Sequence, residues 1–254
     1  MAVRVDTPTT TTAPGARLRA RGRLEHVALT TYAVEPSRLM PLLAPGVEPW
    51  TVTLDGGRTT ALVSAVSFVA HSLAVTRLPL ARFSGGHVDY RAAVRLTSQP
   101  ETPAAWFLGA AMHSPLAWTL RGIWGMPWHW ATVRVSDTAG TYQLAVHDHR
   151  FTAAATAASV PGPHVGLDGF DDVDGAASVL VNARLGLYRR GQRGRVWTYR
   201  VQHDPPTPVV ARPVGARVTL FERLGLVDPG ARLHSVLLVG GFGIAIDLPP
   251  RPLA

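Results

Sequence analysis

The sequence predicts a mainly β domain of α+β type, an antiparallel barrel, closed or partly closed, with a few short helices. Three observations carry this. Apolar runs of strand length recur along the whole chain at short spacing, bounded by Gly, Pro and Asp turn signals. Helical signals are few, near Pro36, over 115–124 and over 218–226. The 254 residues are 46% hydrophobic, enough for a sizeable core, with no internal repeat and no linker after residue 22.

In chain order, residues 1–22 are rich in Thr, Pro, Ala and Arg without apolar periodicity and are expected to form a disordered tail. Its removal should leave the melting temperature nearly unchanged. A single globular domain spans 23–254. Residues 27–34 read as a strand, and Pro36 opens a short helix over Leu39, Leu42 and Leu43, ended by Pro45 and Gly46. Residues 51–54 and 59–70 form a hairpin about Asp55, Gly56 and Gly57. Strands follow at 87–96 and 104–112. Ser114 and Pro115 then open a helix that Gly125 and Pro127 close. Strands at 128–135 and 142–149 pair next, then 177–188 and 196–203 across an arginine-rich turn. A short helix over 218–226 and a strand or pair over 235–248 complete the domain.

Composition excludes several chemistries. There is no cysteine, so there is no disulfide or thiol nucleophile, and no lysine, so no side-chain amine can form a Schiff base. The net charge of +8 gathers at Arg4, Arg17, Arg19, Arg21 and Arg23, and at Arg189, Arg190, Arg193, Arg195 and Arg200. Two clusters do not make an even basic face, so no nucleic-acid partner is expected. Neither an export signal nor a plausible membrane span is evident, and the expectation is a cytoplasmic protein without a membrane partner. His147 and His149 share a strand face that looks solvated, and the acidic residues of 168–175 do not keep calcium-loop spacing. No metal and no cofactor is expected.

The stretch around which the chain is organised is 114–130, where Trp124, Trp128 and Trp130, three of the seven tryptophans, fall within a few residues of His129; its last part runs into Gly125-Met126-Pro127-Trp128-His129-Trp130-Ala131. This last part resembles the Gly-aromatic-Pro-Lys-Lys-aliphatic-Ala segment of acetoacetate decarboxylases. Upstream, 29–36 and 42–49 resemble that family's first strand, helix and proline-rich exit. Residues 83–94 and Trp106-Phe107-Leu108 are similar to the uncharacterised YqjF-like branch of the superfamily. The resemblance covers most of 23–135 and, more loosely, 222–250. It implies a cone-shaped β-barrel with the active site inside.

In that family the first lysine forms the imine and the second lowers its pKa; those places hold Trp128 and His129. The family's glutamate falls at Tyr90, beside Asp89, and its arginine at Glu25, with Arg23 two residues away. Imine decarboxylation is therefore not expected. His129, Asp89 and Tyr90 are the candidate catalytic residues, with His129 as general base. Trp128, Trp130, Trp124, Glu25, Tyr32, His87, His113 and Arg121 are the candidate substrate contacts. Alternation along 128–135 aims His129 inward, whereas the family pattern aims Trp128 inward; the sequence leaves this open. The expectation is an enzyme with an apolar, tryptophan-rich cavity, working as a lyase, isomerase or cyclase on an apolar small molecule, with natural-product tailoring as one setting. The alternative is a non-catalytic carrier of a hydrophobic ligand. A homo-oligomer is compatible with either.

Overall fold

The computed structural model describes residues 18–76, 78–138, 140–148, 152–159, 167–191 and 194–253. The first half comprises β1 (Leu18–Val34), α1 (Pro36–Leu39), β2 (Val47–Pro49), β3 (Thr51–Thr53), β4 (Thr59–Val75), β5 (Leu78–Leu96) and β6 (Gln99–Met112). Helix α2 (Leu116–Trp124) leads into β7 (Trp128–Trp130), β8 (Thr132–Thr138), β9 (Thr141–His147) and β10 (Thr152–Ser159). The remainder is α3 (Val173–Leu180), β11 (Leu185–Arg189), β12 (Val196–Gln202), β13 (Pro208–Val218), α4 (Thr219–Arg223), β14 (Ser235–Val239), β15 (Phe242–Leu248) and β16 (Arg251–Pro252).

Among the described residues the strands form one sheet, and part of it closes on itself. The order β4-β5-β6-β11-β12-β15-β1 returns to β4 through the β1–β4 pairing, which makes the barrel. Beyond β1 the sheet continues through β14, β13, β10, β9 and β8 and folds back over the outside. The barrel is mixed rather than purely antiparallel: β6 pairs with β11 and with β7 in parallel. The chain between β6 and β11 is long enough, with its helices and outer strands, to bring β11 back in the same direction.

Strand β1 holds this together by changing partner. Leu18 to Leu24 pair with β15, and Val27 to Thr31 pair with β14. The change comes at a bulge, where His26 takes a left-handed φ of 51°. A bulge bends its strand and re-aims the residues beyond it.

Where residues 27–34 of β1, 61–70 of β4 and 86–94 of β5 run side by side, the wall is buried on both faces. Its inner face lines the barrel, and its outer face packs Ala28, Tyr32, Val63, Ala65, Val88 and Tyr90 against the folded-back sheet and Phe221. Ala61, Leu62 and Val63, all fully buried, show why this strand reads as a continuous apolar run.

Several elements depart from the sequence reading, among them strand β10, which has no counterpart there. Residues 173–180 are a helix, capped where the Asp172 side chain accepts from the Gly175 N–H at 2.6 Å. Strand β13 has no counterpart in the sequence reading, because its prolines obscure it. Residues 18–22, expected in the tail, are the first rungs of the β1–β15 ladder, and there Arg19 Nε pairs with Asp247 Oδ1 at 2.8 Å. Breaking a largely buried pair from one side costs about 3–5 kcal/mol. A chain beginning at Arg23 should therefore melt about ten degrees below one beginning at Leu18. Equal melting temperatures would show that these rungs contribute nothing. No helix among the described residues is long and apolar enough to cross a membrane.

Candidate active site

The barrel encloses a cavity of about 180 Å³. Most of its wall is apolar. Leu24 and Leu29 come from β1, Phe68 from β4, Phe107 and Met112 from β6, and Leu116, Leu120 and Trp124 from α2. Helix α2 covers one side of the cavity because its C-terminus turns sharply: Gly125 takes φ 65°, and its N–H bonds the Arg121 carbonyl at 2.9 Å. That left-handed cap is open to glycine at little cost. The chain then enters β7, and Trp128 joins the wall.

Against this apolar lining stand five ionisable side chains: His87, Asp89, Arg91, Tyr199 and His203. The first three arise from the period of two along β5, which turns Val88, Tyr90 and Ala92 to the outer core and His87, Asp89 and Arg91 inward. Gly86 allows this course, because a Cβ there would collide with the Val133 carbonyl of β8. Tyr199 and His203 lie on β12 and just beyond it.

His87 Nε2 meets Asp89 Oδ1 at 2.8 Å, and both side chains are largely buried. A carboxylate only accepts, so Nε2 is the nitrogen that donates its proton to Asp89. The imidazole is stacked on Phe68, with centroids 4.7 Å apart and planes at 14°, and meets the Trp128 indole edge to face at 5.6 Å. It is thus fixed in position.

The Arg91 guanidinium is buried beside this pair and donates to the Leu180 carbonyl at the end of α3. Burial lowers its pKa, while Asp89 and Tyr199 pull it upward. Burial, and then the Asp89 charge, push the Tyr199 phenol well above its ordinary value, so it is a neutral donor. His203 is lowered, first by burial. Its Nδ1–H donates to the Asp204 carbonyl at 2.8 Å, which opposes that shift, while Arg184 and Arg91 add to it.

The expected site residues divide into three groups. Asp89, His87, Trp124 and Trp128 line the cavity. Tyr90 and Tyr32 lie on the other side of the wall, each edge to face with Phe221 at 6.0 Å. Burial pushes both phenols up, Tyr32 to about 12. The third group is outside. Arg121 donates to His129 Nδ1 at 3.1 Å at the surface, and Trp130 stands edge to face with Trp118, both indoles exposed. Glu25 pairs with Arg23 at 3.0 Å and His71 at 3.1 Å, and His113 is exposed. The open choice between Trp128 and His129 is resolved in favour of Trp128 in the wall. Arg91, Tyr199 and His203 are additions that the sequence reading does not contain.

His149 lies outside the described residues, and among the described residues no cluster of His, Asp and Glu could hold a metal. In the acidic loop, Asp172 caps α3 and Asp168 Oδ1 accepts from the Asp55 N–H at 2.6 Å.

The fold is that of acetoacetate decarboxylases. The structure of acetoacetate decarboxylase from Legionella pneumophila subsp. pneumophila str. Philadelphia 1 superposes with a TM-score of 0.61 at 13% identity, over 98% of this chain and 92% of that one. An acetoacetate decarboxylase-like enzyme from Sphingomonas wittichii RW1 gives 0.61 at 10% identity, over 98% and 99%. The enduracididine biosynthesis enzyme MppR complexed with pyruvate gives 0.57 at 16% identity, over 97% and 93%. No curated protein matches the sequence. The family model of DUF2071, an uncharacterized conserved protein, matches residues 21–241, and the chain belongs to that family.

Proposed function

We propose that this protein is a small-molecule enzyme that moves protons within its barrel, as an isomerase, lyase or cyclase, without an imine intermediate. The observation that carries this reading is the His87–Asp89 pair held at 2.8 Å inside a mostly apolar cavity, with the Arg91 guanidinium beside it. His87 Nδ1 takes a proton from a substrate carbon or hydroxyl. Asp89 stabilises the imidazolium that forms, and the same ring returns the proton at a second position. Arg91 and the neutral Tyr199 face the oxygen on which negative charge develops, where a dry site makes each donor count most. The indoles of Trp124 and Trp128 and the ring of Phe107 select an apolar body.

The absence of any lysine supports the exclusion of imine chemistry. Incubation with acetoacetate and then borohydride should leave every side chain at its original mass. A reduced adduct on a side chain would contradict this; one confined to an N-terminal amine would not.

The reading is tested by incubating the protein with a small-molecule extract and monitoring the mixture by mass spectrometry. Wild type should convert at least one apolar compound into an isomer or fragment, and His87→Ala should leave that compound unchanged. Retention of a compound without conversion by either protein would instead favour a hydrophobic-ligand carrier.

A further inference from the structure

A second depression, a cleft of about 710 Å³, opens beside the cavity. Arg21 of β1, Arg184 just before β11 and Arg200 of β12 line it, and Asp204 is the carboxylate among its lining residues. All three arginines are exposed, and among the described residues none of them is paired with a carboxylate. Val201, His203 and Ile244 line the cleft and the cavity alike, so the two adjoin.

The place where they adjoin has a structural cause. Strands β12 and β15 pair at Val201–Ile246 and Gln202–Ala245, and there the ladder ends. Past Gln202 the strands part. The His203 and Phe242 rings pack against each other there, with centroids 5.2 Å apart.

We propose that the cleft is the mouth of the cavity and that the ligand is an amphipathic anion. Its apolar body sits in the barrel, and its carboxylate or phosphate is held outside by Arg21, Arg184 and Arg200. The cavity sets the size of the body. About 150 Å³ accommodates a benzene molecule, so about 180 Å³ takes one aromatic ring or a short chain. A linker of a few carbons passes beside the packed His203 and Phe242 rings, where Val201 and Ile244 also line both spaces, and the guanidiniums receive the head. This inference rests on the cavity being the ligand site.

The test compares 4-phenylbutyrate, 4-phenylbutyl phosphate and 4-phenylbutanol by calorimetric titration of the full chain. Exposed charge pairs contribute modestly, so the acid should bind about five- to tenfold more tightly than the alcohol. Added salt should shrink that advantage. Arg184→Gln/Arg200→Gln should reduce it to within about twofold while leaving the alcohol unchanged, because both side chains are exposed. Tighter binding of the phosphate with the same arginine dependence supports the proposal and names phosphate as the head. Equal binding of acid and alcohol overturns the anionic head and leaves the cavity reading standing. Butyrate binding as well as 4-phenylbutyrate overturns the placement of the body in the barrel. Binding by none of the three overturns both this inference and the cavity reading.

Discussion

His87→Ala should lower turnover by roughly two to four orders of magnitude, the usual contribution of a positioned general acid or base. Ligand affinity should change only a few-fold, because Trp124, Trp128 and Phe107 remain to enclose the apolar body. The alanine also removes a ring packed against Phe68 and Trp128, so some stability is lost with it. His87→Gln separates the two effects. Its amide can still donate to Asp89 and fill part of the space, and it has no basic nitrogen. Stability should therefore recover in that variant while turnover stays low. Recovery of both would reduce His87 to a structural residue.

The second large effect belongs to Arg91. Its guanidinium is buried, donates to the Leu180 carbonyl and lies within the field of Asp89. Arg91→Met keeps the volume and removes the charge, leaving the Asp89 carboxylate in an apolar cavity with His87 as its remaining partner. Asp89 loses a neighbouring positive charge and the Leu180 carbonyl loses its donor, which costs about 1–3 kcal/mol, so the melting temperature should fall by several degrees. Adding Asp89→Asn removes the negative charge that Arg91 offset, and the double variant should melt higher than Arg91→Met alone. Strict additivity of the two losses would show that the groups do not interact.

Why the sequence points at His129 rather than His87 has a specific answer. Alternation across 128–135 holds only if the segment is one strand. The chain breaks step at Ala131, whose N–H bonds the Met112 carbonyl at 3.1 Å, between the end of β7 and the start of β8. Parity does not carry across that break, so Ala131 and Val133 are buried against the outer sheet while Trp128 enters the barrel wall. The family pattern, which aims the first lysine's position inward, is the better guide. It also brings Asp89 into view, one residue from the position of the family's glutamate.

The inward face of β5 is legible in principle. His87, Asp89 and Arg91 alternate with Val88, Tyr90 and Ala92, but a polar face opposite an apolar one ordinarily faces water. Only closure of the barrel buries both faces, and closure depends on pairings between distant segments such as β1 with β4 and β15. Local signals serve better where local physics decides. Gly125 and Pro127 end α2 where expected, and Asp55, Gly56 and Gly57 give the turn between β3 and β4. Helix α3 escapes the sequence reading because Ala176, Ala177, Val179 and Leu180, all buried, suit a strand as readily as a helix over so short a run.

The most direct measurement is a paired comparison of His87→Ala and His129→Ala on one converted compound. His129 bonds Arg121 at the surface and does not line the cavity. Chemistry inside the barrel requires that His87→Ala lose roughly two to four orders of magnitude in kcat, while His129→Ala stays within about threefold of wild type. A large loss in His129→Ala with His87→Ala near wild type would place the chemistry outside the barrel and contradict the assignment.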